Sequence, residues 1–367
     1  MPEAKSPLPI GRLFLGLGVI AGIGLALRLC WPIGPRGPGP AASGPEGTLV
    51  IFHAGSLTRP FSEVAKAYKN EHPRALLRLE AAGSRHSARK ISELGRRADV
   101  FGSADHVVVT DLLVPRFARW NIHFATNSLI LAYGPRSRRR DEVSSSNWHR
   151  ILADPEVRFG RADPDSDPCG YRTLMMFQLA ERHLGEPGLA ARLGAKHGRT
   201  FIRPKETDLL ALLEAGEIDY LPIYRSVALQ HGLSFVTLPP EIHLGDPAMA
   251  EAYSAARVTV SGKTPGSTTT LRGEPILYSV TIPLNAPNPT GAEAFVAFLL
   301  SAKGRAIFER QGQPPVWPLR ATGREALPPG LARLLGPAAA SGVGSMAPSS
   351  SANHPAAPAK VGGEAAQ

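Results

Sequence analysis

Apolar and polar positions in residues 48–101 fall into blocks of two different periods. Thr48 to His53 (TLVIFH) is a short apolar run of the kind that forms a buried strand. Phe61, Val64, Ala65 and Tyr68 then recur at the spacing of one helical face. Pro60 has no amide hydrogen and suits a first helical turn, so this helix is expected to begin near Arg59 with Thr58 as its cap. Ala75–Glu80 reads as a second strand, Gly83-Ser84 as a turn, Ser87–Leu94 as a second helix and Ala98–Phe101 as a third strand. Such βαβαβ alternation predicts a parallel sheet with right-handed crossovers.

A further strand, Ser128–Tyr133, runs into Gly134-Pro135, where the chain is expected to leave a first lobe. Trp148–Leu152, Tyr171–Leu184 and Leu209–Leu213 have helical patterning, and Ser234–Leu238 reads as a strand, which together fill a second lobe. The extended run Pro275–Ile282 would carry the chain back, and a last helix, Glu293–Phe308, would pack on the first lobe. The predicted fold class is therefore α/β, with two lobes, two hinge-crossing segments and a ligand cleft between them. The expected bounds are 48–130 for the first part of lobe 1, 131–274 for lobe 2 and 275–335 for the return segment.

The ends have a different character. Lys5 and Arg12 precede the uncharged stretch Leu13–Leu27, followed by Arg28, so residues 1–32 read as an export signal or an N-terminal membrane anchor. The expected location is outside the cytoplasm, periplasmic or on the outer face of the cytoplasmic membrane. Residues 33–47 form a Pro/Gly-rich spacer, and 336–367 a low-complexity tail; neither has the apolar content to fold.

Hydrophobic residues make up 43% and charged residues 20% of the chain, which excludes a polytopic membrane protein and a mostly disordered one. The formal charge of +10 raises nucleic acid as a partner. Basic residues are nevertheless scattered among acidic ones, and the densest run, Arg136–Arg140, is followed at once by Asp141 and Glu142. That run reads as a solvated loop, and no nucleic-acid partner is expected. Two cysteines, Cys30 and Cys169, exclude a disulfide framework.

Three turns share one physical property: Gly55-Ser56, Gly83-Ser84 and Asp167–Tyr171 each place backbone amides and a hydroxyl at or near a helix N-terminus. Such positions suit an anion, and glycine lets the backbone approach it. Gly-Ser turns also simply start helices, and patterning alone leaves both readings open. Glu206 opens a run whose Leu209, Leu210, Leu212 and Leu213 form an apolar face, where a glutamate complements the helix dipole. Tyr224, within Ile223–Ser226, reads first as a half-buried core residue and only second as a ligand contact.

HAGSL (53–57), GSR (83–85) ahead of ARKISELGRRADV (88–100), SAD (103–105), DPCGYR (167–172), RPKETDL (203–209), and EIDY with IYRSVA (217–228) resemble the archaeal-type tungstate/molybdate-binding proteins of ABC transporters. That resemblance implies the type II periplasmic binding protein fold. It also implies capture of tungstate or molybdate by a monomer that delivers it to a membrane permease and its ATPase, with no catalysis and no resident cofactor. On the matching positions, Gly55, Ser56 and Ser84 correspond to amide and hydroxyl donors, Cys169 to a backbone donor, and Tyr224 to a phenol donor. Asp167 and Glu206 correspond to two carboxylates that bond the metal directly and raise its coordination from four to six. The chain departs from the family at His86-Ser87, in a shortened stretch between Leu184 and Arg203, and in the Arg136–Arg140 loop.

Two carboxylates facing a dianion repel it unless they bond its central atom. Tungsten and molybdenum can expand their coordination; sulfur cannot. Asp167 and Glu206 would thus admit metal oxyanions and reject sulfate or phosphate. The rivals are a sulfate, phosphate or phosphonate receptor, an exported hydrolase with Cys169 as nucleophile and His53, His86 or His106 as base, and an anchor without ligand. No HExxH or GxSxG occurs to support the hydrolase.

Overall fold

The computed structural model describes residues 44–336. The signal or anchor segment, Cys30 and the tail beyond Gly336 lie outside the described residues. Thirteen strands are found among those described. Strands β1 (Thr48–His53), β2 (Leu76–Ala81), β3 (Val100–Ser103) and β4 (Asn121–Thr126) come first, and β5 (Leu129–Tyr133) follows β4 after two residues. Then come β6 (Arg161–Ala162), β7 (Ile202–Arg203), β8 (Tyr220–Tyr224) and β9 (Ser234–Thr237), followed by β10 (Arg257–Ser261), β11 (Thr268–Arg272), β12 (Leu277–Thr281) and β13 (Pro315–Thr322).

The first lobe is a six-stranded sheet in the order β13-β4-β12-β3-β1-β2. β1 pairs in parallel with β2 and β3, as the βαβαβ pattern requires. β12 inserts antiparallel between β3 and β4, and β13 closes the far edge on β4. Helices cover the sheet because their apolar stripes have nowhere else to go: Phe61 of helix Thr58–Glu71 meets Phe295 and Phe308 edge-on at 6.4 and 6.1 Å. Asp99, buried just before β3, accepts hydrogen bonds from Val50 N at 2.7 Å and Asn288 N at 2.6 Å, tying the first strand to the return segment.

The second lobe holds a three-stranded antiparallel sheet, β8-β5-β9, with the short parallel pair β6-β7 and the hairpin β10-β11 beside it. Because β5 pairs only with β8 and β9, the chain has already changed lobe when that strand begins. The first crossing is at Asn127-Ser128, not after Tyr133 as the sequence suggested. Every residue from Leu129 to Ala132 is buried, and such a run reads the same whichever sheet receives it.

Other differences are local. The first helix begins at Thr58, continuing a 3-10 turn over Gly55–Leu57, and the Thr58 hydroxyl donates to Gly55 O at 2.6 Å instead of capping. The second helix starts earlier, at Ser84. The expected final helix is two, Pro289–Leu300 and Ala302–Arg310, broken where Ser301 turns extended and its side chain caps Gly304 N. Residues 44–46, assigned to the spacer, dock on the first lobe: Gly44 N donates to Asn288 Oδ1, and Pro45 O accepts from Tyr68 Oη. The arginine-rich segment is an exposed loop as expected, with Arg136, Arg138, Arg139 and Arg140 all exposed, and it is tied down at two points, Arg138 to the buried Asp219 at 3.0 Å and Arg139 to Asp154 at 2.6 Å. No helix among the described residues is long and apolar enough to cross a membrane.

The lobes meet closely. His86 N, in the first, donates to Ser166 O in the second at 3.1 Å. A Cβ on Gly83 would press onto that same Ser166 oxygen and stand 2.8 Å from Pro204 O. Removing the Asp99 tie, as in Asp99→Ala, leaves the buried Asn288 amide and the partly buried Val50 amide unpaired and is expected to cost about 2–3 kcal/mol, measured as a lower urea midpoint at unchanged slope.

Candidate functional site

The turns singled out in the sequence converge where the lobes touch. Ser56 lies in the 3-10 turn after β1, Ser84 opens the helix after β2, and Tyr224 ends β8. Asp167 is the N-cap of helix Pro168–Leu184, its Oδ1 accepting from Cys169 N at 2.8 Å, with Pro168 in the first turn where its missing amide costs nothing. Glu206 opens a 3-10 turn that runs into helix Leu209–Ala215. Ser56, Ser84, Asp167, Cys169, Glu206 and Tyr224 are all at most 2% exposed.

Asp167 and Glu206 come together although 39 residues separate them. The Glu206 amide donates to Asp167 Oδ2 at 3.4 Å. A Cβ on Gly55 would lie 2.9 Å from Glu206 Oε2, so the first-lobe turn sits directly over that carboxyl. Neither Glu206 carboxyl oxygen meets an amide, hydroxyl or cation among the described residues, its one polar neighbour being the Asp167 carboxyl. Burial raises the Asp167 pKa well above its ordinary value, and the Glu206 charge raises it further. Two carboxyl groups thus share a closed, water-poor place where neither has a cation.

The hydroxyls are placed differently. Ser84 Oγ accepts from Ala104 N at 3.0 Å, Ser56 Oγ accepts from Tyr278 Oη at 2.9 Å, and Tyr224 Oη accepts from Arg172 Nη1 at 2.9 Å. The Cys169 amide, expected as a ligand donor, has the Asp167 carboxylate as its partner here. Its thiol is buried and donates weakly to Pro222 O at 3.7 Å; burial first, and Asp167 after it, push the thiol pKa well up. A nucleophile needs the opposite shift. His53 Nδ1 donates to Ala54 O at 2.8 Å, with burial lowering its pKa to about 4, and His106 pairs with Glu274 at 3.0 Å. Neither contact presents a base to Cys169.

Residues 49–313 match the family of bacterial extracellular solute-binding proteins. The chain belongs to that family. A solute-binding protein of Petrotoga mobilis is 47% identical over 272 residues, spanning 74% of this chain and 85% of its own length. The molybdate/tungstate-binding protein WtpA of Thermococcus kodakarensis is 38% identical over 302 residues, spanning 74% and 84%. Among solved structures, the sulfate-binding protein SubI of Mycobacterium tuberculosis superposes with a TM-score of 0.53 at 13% identity, covering 74% of this chain and 88% of its own, a likeness that shows the fold alone. The two-lobed α/β fold read from the sequence, and the family resemblance on which that reading drew, are both borne out.

Sequence reasoning missed four residues of this solute-binding protein's site. Arg172, 2% exposed, pairs with Asp105 Oδ2 at 2.9 Å and donates to Ala104 O at 2.7 Å, joining the second lobe to the first. Burial opposes the Arg172 charge, yet Asp105, Tyr224 and Tyr171 together outweigh it and hold the guanidinium well above its usual range. Asp105 also caps helix His106–Leu112 and accepts from Tyr171 Oη. Asn127 stands at the first crossing and donates to Tyr278 at 3.1 Å, on β12 where the chain has just returned to the first lobe. Arg172 and Asp105 do lie inside the motifs DPCGYR and SAD, but nothing in those strings pairs them.

The carboxyl pair gives the ligand-free protein a specific pH dependence. Because the folded state holds the Asp167 proton more tightly than the unfolded chain, stability falls as pH rises from about 3.8, the ordinary aspartate value, through the raised folded one. Asp167→Asn keeps the cap and removes the charge. Its melting temperature without anion is expected to match the parent at pH 4 and to exceed it by about 3 °C at pH 8.

Proposed function

We propose that this protein captures tungstate or molybdate outside the cytoplasm and hands it to an ABC importer's permease and ATPase. The supporting observation is the buried Glu206 carboxyl, whose oxygens meet no amide, hydroxyl or cation among the described residues, set against Asp167. A receptor for sulfate or phosphate gains nothing from such a pair, since two carboxylates repel a dianion whose central atom accepts no further ligand. A metal oxyanion turns the repulsion into bonding, because each carboxylate can enter the coordination shell of tungsten or molybdenum. Ser56, Ser84 and Tyr224 would donate to its oxygens, Gly55 would let the backbone approach, and Cys169 would contribute its amide by sharing it with Asp167. The ligand is cargo, and no resident cofactor is part of this reading. Tethering through residues 1–32 and action as a monomer belong to the same proposal, as does the lack of an enzymatic reaction; the buried, raised thiol of Cys169 supports the last. The 38% identity to a molybdate/tungstate-binding protein supports the choice of anion.

Calorimetric titration of the protein with tungstate, molybdate and sulfate in parallel tests the reading. Tungstate or molybdate is expected to bind and sulfate to give no heat; sulfate binding as tight as tungstate sinks it. Glu206→Gln and Asp167→Asn should each weaken tungstate by at least about tenfold, as loss of a charged ligand costs about 1.5–3 kcal/mol. Cys169→Ser should leave binding within about threefold, because the thiol is turned to Pro222 O and only the amide is assigned to the anion. Gly83→Ala is expected to lower affinity by more than about tenfold with little change in ligand-free melting temperature. Its added methyl strikes two backbone oxygens of the opposite lobe, which yield only by reopening the cleft; small-angle scattering with tungstate should then show a larger radius than the parent.

A further inference from the structure

Each hydroxyl in the site already receives a hydrogen bond from the protein, and the chemistry of the donors fixes which way its own proton must point. A guanidinium has five N–H groups and no acceptor, so the 2.9 Å contact from Arg172 Nη1 makes Tyr224 Oη the acceptor there. The Tyr224 proton must therefore go elsewhere, and among the described residues it has no protein acceptor. Ser84 stands likewise: the Ala104 amide can only donate, so the Ser84 proton is directed away from it.

The relay to Ser56 is longer and starts at the hinge. Asn127 lies at the first crossing, and its Oδ1 accepts from Ser128 N at 3.0 Å and Ser226 N at 3.3 Å. Backbone amides cannot accept, which fixes the side-chain amide with its Nδ2 turned the other way, toward Ser226 Oγ at 2.8 Å and Tyr278 Oη at 3.1 Å. Tyr278, on the return strand β12, receives from Asn127 at one lone pair, which leaves its own proton for Ser56 Oγ at 2.9 Å. Ser56 in turn is left with its proton pointing out of the chain of donors. Asn127, Tyr278 and Ser56 are all at most 5% exposed, so water does not compete for these directions.

We propose that Tyr278, held by Asn127, and Arg172, held by Asp105, are positioning residues that fix the hydroxyl protons of Ser56 and Tyr224 toward the bound anion. The inference rests on the oxyanion-capture reading and adds how its donors are pre-set. A hydroxyl free to rotate must lose that freedom on binding and also divides its time between accepting and donating orientations; one locked as a donor has met this cost in the folded state. Because the relay to Ser56 starts at the first crossing, its donor direction is set by the hinge residue Asn127 as well as by its own turn.

A double-mutant cycle tests this, read by tungstate titration calorimetry on the full chain. Tyr278→Phe removes one oxygen and keeps the ring packing against Tyr224 and Phe124. It is expected to weaken tungstate by about tenfold, and in a Ser56→Ala background to cost less than about twofold, because the proton it orients is gone. The matching cycle pairs Arg172→Lys with Tyr224→Phe and should show the same non-additivity. Additive losses in both cycles, or an unchanged affinity in Tyr278→Phe, overturn the proposal by leaving these residues a purely structural role. Melting temperatures without anion accompany each variant, and Tyr278→Phe serves the test even if Arg172→Lys does not fold. If the parent protein gives no heat with tungstate or molybdate, the function reading fails instead; a parent that binds with an unaffected Tyr278→Phe refutes the relay alone.

Discussion

Two carboxyl groups without a cation, enclosed between the lobes, are the constraint around which the rest of this protein is organised. Water would solvate Asp167 and Glu206 at almost no cost, whereas the closed interior charges several kcal/mol for an ionised group without a partner. The protein meets part of this by leaving a proton on the pair, as the raised Asp167 pKa indicates, and part by turning one Asp167 oxygen to the Cys169 amide at a helix N-terminus. What is left is strain at one spot, sustained by two well-packed lobes. Such local destabilisation marks sites whose partner supplies the missing interaction.

The same enclosure explains the glycines and the interlobe contacts. Gly83 and Gly55 stand where any side chain would strike the opposite lobe, so their lack of a Cβ is a requirement of closure more than of backbone conformation. Arg172 and Asp105 then carry charge of opposite sign across the joint, each satisfied by further bonds to Ala104 O, Tyr224 Oη, Tyr171 Oη and Val107 N. The buried ion pair has opposite charges 2.9 Å apart, while the neighbouring acid pair has no cation beside it. That contrast separates the part of the interface that holds the lobes together from the part that awaits a ligand.

Donor and acceptor roles sort in the same way. Ser56, Ser84 and Tyr224 all accept from the protein, and each keeps a proton to give. An oxyanion's periphery accepts and its metal centre attracts carboxylates, so the two halves of the site answer two halves of one ligand. The thiol of Cys169, which a reader of the sequence could take for a nucleophile, faces a carbonyl in the packed interior of the second lobe.

Local patterning was enough to find most strands and helices, since the periods of apolar positions are set by backbone geometry alone. The order of the motifs was enough to indicate the family, and with it a two-lobed fold. Sequence could not say that Leu129–Tyr133 belongs to the second lobe, because an all-apolar strand suits either sheet, nor that Ser301 breaks the last helix, because a serine there is tolerated mid-helix as readily as it caps. It could not turn residues 44–46 from linker into docked chain, for their partners, Asn288 and Tyr68, are remote. Above all, the contacts that define the site join residues far apart: 39 positions for Asp167 with Glu206, 68 for Arg172 with Ala104 and 222 for Tyr278 with Ser56. Periodicity carries no information across such distances; which donor meets which acceptor is decided when the two lobes pack and the hinge closes the path between them.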